Sequence, residues 1–212
     1  MTDFKTHLTQ QSKKLRCFSL PPAMPGVSRV KNEKAMMDAW TRDVCKNAKL
    51  HIKCDLTMKQ SVELFCPSPY AENRLFINED LAFANIGQFA ERLNYTIYKN
   101  AYRRYGKKLN MIAAVEGGKY KLRETPIKGH RDKRFHAHLL IQYPDLTYFR
   151  FDGKKTTFTK PLFMSLIEQT WKDTMFGYEE HYIGEIRNKW DAVQYCGKDG
   201  QSGIIYQEYH KD

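Results

Sequence analysis

Two histidines one residue apart, His136 and His138, lie in the run Arg134-Phe135-His136-Ala137-His138-Leu139-Leu140-Ile141-Gln142. In an extended chain, alternation puts His136, His138, Leu140 and Gln142 on one face and Phe135, Ala137, Leu139 and Ile141 on the other. Two imidazoles one pleat apart offer two nitrogen donors, half of a divalent metal site that still needs a carboxylate. His-x-His also arises by chance in a chain with seven His, so the pair needs partners elsewhere. Glu116 is the first candidate, an acid that ends the apolar run Met111-Ile112-Ala113-Ala114-Val115 one hairpin before the histidines. Glu185, Asp55 and His130 are the alternatives. Two His and one carboxylate leave coordination positions open, which suits a catalytic Mg²⁺ or Mn²⁺ acting on a phosphate better than a closed structural zinc.

A second group lies in Ala192-Val193-Gln194-Tyr195-Cys196-Gly197-Lys198-Asp199-Gly200. On a helix, Tyr195 and Lys198 share a face, so a phenol nucleophile and a cation can address one phosphate together. Tyr-x-x-Lys occurs twice in the chain, the other copy being Tyr105-Gly106-Lys107-Lys108. There Gly106 stops the helix, so Tyr105 and Lys108 do not share a face. Only the Tyr195 copy lies inside a helical pattern.

These side chains must be carried by a scaffold, and the periodicities suggest one. Leu50, Ile52, Cys54, Leu56 and Met58 alternate with His51, Lys53, Asp55, Thr57 and Lys59, the pattern of a strand with one wet face. A turn-rich connection through Cys66-Pro67-Ser68-Pro69 leads to a helix over about 85–105, with Ile86, Phe89, Ala90, Leu93, Ile97 and Ala101 at helical spacing. Strands follow at 109–116 and 134–142. The connection between them, 117–134, carries seven Lys/Arg against two acids: Lys119, Lys121, Arg123, Lys128, Arg131, Lys133 and Arg134. Such a run is either a solvated loop or a finger that grips phosphates. After the aromatic stretch Tyr148-Phe149-Arg150-Phe151, a helix capped by Thr159 turns Phe163, Leu166, Ile167 and Trp171 inward. A strand at 182–186, a short helix at 189–198 and a last strand at 203–209 complete the order. The expected fold is α+β, an antiparallel sheet of about five strands with helices mainly on one face and the histidines on the open one.

Composition agrees with a polyanionic partner. The net charge is +11, from 35 Lys+Arg against 24 Asp+Glu, and nucleic acid is the default candidate. No apolar run approaches the ~20 residues of a membrane span, and the N-terminus lacks a signal peptide's apolar core, so a soluble, intracellular protein is expected. Five Cys (Cys17, Cys45, Cys54, Cys66, Cys196) include no Cys-x-x-Cys pair and read as reduced, mostly structural thiols. Residues 1–47 form a basic extension, nine Lys/Arg against four Asp/Glu, broken by Pro21-Pro22-Ala23-Met24-Pro25-Gly26. Its later part, 32–47, has helical spacing of Ala35, Met36, Ala39, Trp40 and Val44, and either holds DNA or packs on the main domain, 48–212.

Taken together these segments resemble the HUH-type replication initiators of rolling-circle plasmids and single-stranded DNA viruses. Phe135-His136-Ala137-His138-Leu139-Leu140 is similar to the family's His-hydrophobic-His motif, and Tyr195-Cys196-Gly197-Lys198-Asp199-Gly200 to its single-tyrosine motif. Residues 50–59 resemble its first-strand motif, and Ala114-Val115-Glu116-Gly117-Gly118 the segment that supplies the acidic ligand. Histidines before tyrosine is the initiator order, whereas conjugative relaxases put the tyrosine first. Ala137 is a small occupant of the hydrophobic slot, and no phosphate-binding Gly-rich motif of a helicase domain follows. The resemblance implies a ferredoxin/RRM-like core and a metal-dependent endonuclease and strand transferase. In it His136, His138 and Glu116 hold Mg²⁺ or Mn²⁺, Tyr195 attacks the phosphate to leave a 5′-phosphotyrosyl link, and Lys198 orients or stabilises charge. Implied partners are single-stranded or hairpin origin DNA and a host helicase and polymerase, with no membrane, in the host cytoplasm. The nearest alternative is a single-strand transposase of the tyrosine HUH type, in which Gln usually stands where this chain has Asp199. A non-catalytic nucleic-acid-binding module is the alternative from another class.

Overall fold

The computed structural model describes residues 29–64, 74–117, 134–151, 154–197 and 204–208. In chain order the elements are α1 (Arg29–Asn47), β1 (Ile52–Met58), β2 (Ser61–Glu63), β3 (Arg74–Phe76), α2 (Glu79–Tyr98), α3 (Asn100–Tyr105), β4 (Met111–Glu116), β5 (His136–Ile141), β6 (Tyr148–Phe151), β7 (Lys154–Thr157), α4 (Lys160–Lys172), β8 (Gly177–Glu185), α5 (Lys189–Gly197) and β9 (Ile204–Glu208). The fold is α+β. Five strands in the order β8-β1-β5-β4-β9 form one sheet, with all four of its pairings antiparallel. The pairs β2–β3 and β6–β7 are small separate hairpins that the sequence reading did not resolve, since three- and four-residue strands carry too little periodicity. Among the described residues no helix is long and apolar enough to cross a membrane.

The alternation seen in the sequence sorts side chains onto two faces. Ile52, Cys54, Leu56 and Met58 of β1, Met111, Ala113 and Val115 of β4, and Ala137, Leu139 and Ile141 of β5 are buried together under α2 and α4. Phe89 of α2 and Trp171 of α4 meet edge to face there, 5.7 Å between centroids. The helix expected at 85–105 starts earlier, because Asn78 caps it by accepting from the Leu81 N–H at 2.8 Å, with Glu79 and Asp80 in the first turn. It breaks at Lys99, which has φ 47°, and resumes as α3 up to Gly106 at φ 65°.

Helices lie on both faces, not mainly on one as the sequence suggested. On the histidine face Ile112, Ala114 and Leu140 are apolar and buried, and they form a second core with Trp40 and Val44 of α1 and Val193 and Cys196 of α5. A face with an apolar half has to be covered over that half. The later part of the N-terminal extension therefore packs on the sheet. Lys189 at the start of α5 donates to the carbonyls of Cys45 and Ala48, at 2.7 and 2.5 Å, and so satisfies the end of α1. Gly197 admits this contact, because a Cβ there would lie 2.5 Å from the Met37 sulfur and 2.9 Å from the Trp40 ring.

If α1 is part of the core, Trp40→Ala should cost about 3 kcal/mol of unfolding free energy in a urea titration. A loss under about 0.5 kcal/mol, typical of a surface substitution, would show α1 to be a dispensable attachment.

Candidate functional site

The registers of β4, β5 and β1 assemble the site. His138 stands opposite Asp55 of β1 on one side and Ala114 of β4 on the other, while His136 stands opposite Thr57 and Glu116. Directly opposed residues share a face, so Asp55, His136, His138 and Glu116 rise from one side of the sheet. One ligand atom each from Glu116, His136 and His138 lies within 4.8 Å of the others, a group that could hold a metal ion. Glu116 Oε2 is 3.2 Å from His136 Nε2, and Oε1 is 3.5 Å from His138 Nε2.

Both imidazoles are oriented from behind. His138 Nδ1 lies 2.5 Å from Asp55 Oδ1, and His136 Nδ1 lies 3.0 Å from the Arg134 carbonyl oxygen. A carboxylate and a carbonyl only accept, so each Nδ1 donates and each Nε2 turns a lone pair toward Glu116. Acceptor facing acceptor is unfavourable unless a proton or a metal cation lies between them. His138 is 5% exposed, and its Nε2 is buried with no hydrogen-bond partner among the described residues. That orphaned donor atom, beside a second imidazole nitrogen and a carboxylate, fits a divalent cation.

Asp55 belongs behind the cluster and not in it. Burial alone would push its carboxyl up, but the hydrogen bond and charge of His138, then the charge of Lys53, outweigh burial and hold it below the usual carboxylate value. Lys53 Nζ is 3.3 Å from Asp55 Oδ2. Of the other rivals for third ligand, Glu185 stands opposite Ile52, whose side chain is in the α2/α4 core, and pairs with Lys160 at 2.8 Å. It is on the wrong face. His130 lies outside the described residues.

Tyr195 reaches this cluster from α5. Its ring stands edge-on to His138, with centroids 4.7 Å apart at 87°, and His136 meets the other side of His138 at 4.9 Å. Lys53 Nζ lies over the Tyr195 ring at 5.0 Å from its centroid. The tyrosine is 39% exposed while its neighbours Val193 and Cys196 are buried, so α5 is anchored by its apolar side and presents the phenol at the edge of the covered half. The Cys196 thiol is 3.8 Å from the His138 carbonyl oxygen, fixing α5 to the strand that carries the histidines. Tyr105, the other tyrosine with a lysine three residues on, ends α3 and is 81% exposed, away from any such cluster.

Lys198 and the basic residues Lys119, Lys121, Arg123, Lys128, Arg131 and Lys133 lie outside the described residues. Arg134 is exposed, its guanidinium 5.5 Å over the Tyr178 ring. Sequence reasoning missed the pairing of Lys53 with Asp55 and Tyr195. The signal was present in the polar parity of β1, but the register that brings β1 beside β5 was not. Burial pushes the Cys54 thiol well up, as expected of an inert structural cysteine. No family model, curated protein or solved structure matches this chain.

Calorimetric titration with Mn²⁺ should give one site per chain, abolished in His138→Ala. Asp55→Asn should weaken it about 10- to 100-fold, the range for loss of a group that orients a metal-bound histidine. Undiminished Mn²⁺ affinity in His138→Ala would exclude the cluster as the site.

Proposed function

We propose that this chain is a metal-dependent, tyrosine-mediated endonuclease and strand transferase for single-stranded DNA, of the kind that initiates rolling-circle replication of a plasmid or virus. The observation that carries the reading is the Tyr195 ring packed on His138, 4.7 Å between centroids, where His138 Nε2 faces Glu116. A half-exposed phenol beside three convergent acceptors is a costly arrangement for stability alone. It has a use if a phosphate is brought between phenol and cluster. The ferredoxin-like HUH core is proposed with it, supported by an antiparallel sheet with paired histidines on a central strand.

His136, His138 and Glu116 would hold Mg²⁺ or Mn²⁺, which when bound supplies Lewis-acid polarisation of the scissile phosphate. Asp55 and the Arg134 carbonyl keep both Nε2 atoms pointed at the shared position. Tyr195 Oη attacks phosphorus and the 3′ oxygen of the preceding nucleotide leaves; the phenol gives up a proton and the leaving oxygen takes one. The products are a 5′-phosphotyrosyl link and a free 3′-hydroxyl, which a host polymerase extends behind a host helicase, and attack by a 3′-hydroxyl reverses the step. Lys53, over the Tyr195 ring, would add positive charge near the phosphate, and Lys198 would serve the same phosphate. The +11 net charge and the basic connection 117–134 favour a nucleic-acid substrate inside the host cytoplasm.

The test is a denaturing gel of protein incubated with labelled single-stranded DNA and Mn²⁺. Wild type should form a covalent adduct that Tyr195→Phe and His138→Ala do not, and EDTA should prevent it. An adduct from Tyr195→Phe would overturn the assignment. Tight binding with no adduct from wild type would favour a non-catalytic nucleic-acid-binding module.

A further inference from the structure

The open half of the histidine face carries a feature that metal binding and attack leave unused. Edge strand β8 pairs with β1 so that Tyr182 stands opposite Asp55 and Gly184 opposite Lys53. Ile183 between them packs against the α2/α4 core, so Tyr182 and Gly184 share the face of the metal cluster. Tyr182, Asp55 and His138 form one row across three strands, which puts Tyr182 about 10 Å from His138 at two interstrand spacings.

The tyrosine is held in an unusual way. A Cβ on Gly184 would lie 2.5 Å from the Tyr182 Oη, 2.9 Å from Cζ and 3.2 Å from Cε1. The phenol end of the ring therefore lies along the strand over the glycine, in the space a side chain at 184 would occupy. Despite this support it is 58% exposed. A ring laid along the sheet and left wet is a surface for another flat group. Lys53 and Asp55 lie between it and the cluster, so one end of a bound strand's phosphate run meets an ammonium. Every nucleobase has a π-face, and in a duplex that face is already stacked, so such a platform selects unpaired strands without selecting sequence.

We infer that Tyr182, seated on Gly184, is a stacking subsite for a nucleobase of single-stranded DNA next to the metal cluster; the inference rests on the single-stranded DNA reading above. Affinities of the full chain for oligothymidylate and for an abasic strand of equal length, by fluorescence anisotropy at one salt concentration, separate base contact from phosphate contact. Wild type should prefer oligothymidylate. Tyr182→Leu, which still covers Gly184, should lose that preference by roughly tenfold with little change for the abasic strand, and Tyr182→Phe should keep it. Because the readout is a ratio, a partly unfolded variant lowers both affinities and leaves it unmoved. A Tyr182→Leu ratio equal to wild type, or a wild type that does not prefer the base-bearing strand, would overturn the subsite while the single-stranded reading stands. Wild type that binds neither strand would overturn both.

Discussion

The site depends on the register of β5 between β1 and β4. Alternation has a period of two, so sliding β5 by one residue would turn both imidazoles into the α2/α4 core and bring Ala137 and Leu139 to the surface. The register is protected by what that slip would bury and expose. Ala137, Leu139 and Ile141 are wholly buried on one side, and Leu140 is wholly buried on the other. A strand with apolar residues on both faces at one end and polar residues on one face at the other has only one setting that satisfies both. Gly117 lets the neck of the β4–β5 connection close, since at φ 107° a Cβ there would lie 2.5 Å from the Arg134 carbonyl oxygen. That carbonyl is the one that orients His136.

The histidine face is divided into two territories. Toward Ile112, Ala114 and Leu140 it is apolar and roofed by α1 and α5; toward Glu116, His136, Asp55 and Lys53 it is polar. Tyr195 stands on the boundary. Its helix is fixed by Val193 and Cys196 below and by α1 alongside, where Gln194 donates to Asp38 at 3.0 Å and Lys189 ties the end of α1. The side chain that must meet the cluster is thus carried by a rigid element, and the element that rigidifies it belongs to the basic N-terminal segment. Seen this way α1 positions the phenol, one packing layer removed from the site.

Much of this was legible in the sequence, and what was not has a physical reason. Strand alternation in 50–59 and 134–142 gave the two faces, except that Leu50 packs with the second core and not with Ile52, Cys54, Leu56 and Met58, and the pairing of Glu116 with the histidines followed from a single hairpin. The roof over the apolar half was missed because amphipathicity reveals that a helix such as 32–47 has a buried side, never which surface buries it. Asp55 was legible only as an acid near the right face. Its place behind His138 comes from β1 pairing with β5 across more than eighty intervening residues, a long-range register that no local pattern encodes. The seat of Tyr182 on Gly184 needed coordinates for the same reason, since Gly184 reads from sequence as a mere weakness in a strand.

The charges around His138 explain how such a cluster can exist on a sheet without destabilising it. Asp55 has its carboxylate shared between the imidazole N–H and the Lys53 ammonium, so it is a satisfied anion that strengthens the imidazole as a donor. Glu116 turns its carboxylate toward both Nε2 atoms, an arrangement that calls for a proton or a cation between them. A dication at that position would change the local field from negative to positive. On the proposed reading the order of events follows from that sign: a phosphate is repelled by the bare cluster and attracted by the loaded one, with Lys53 adding to the attraction from the β1 side. The phenol needs no such change, since it is already against His138. On the same reading, the phenol and the cluster are preorganised by the fold, and the step left to solution conditions is arrival of the cation, which would determine when an anionic substrate is welcome.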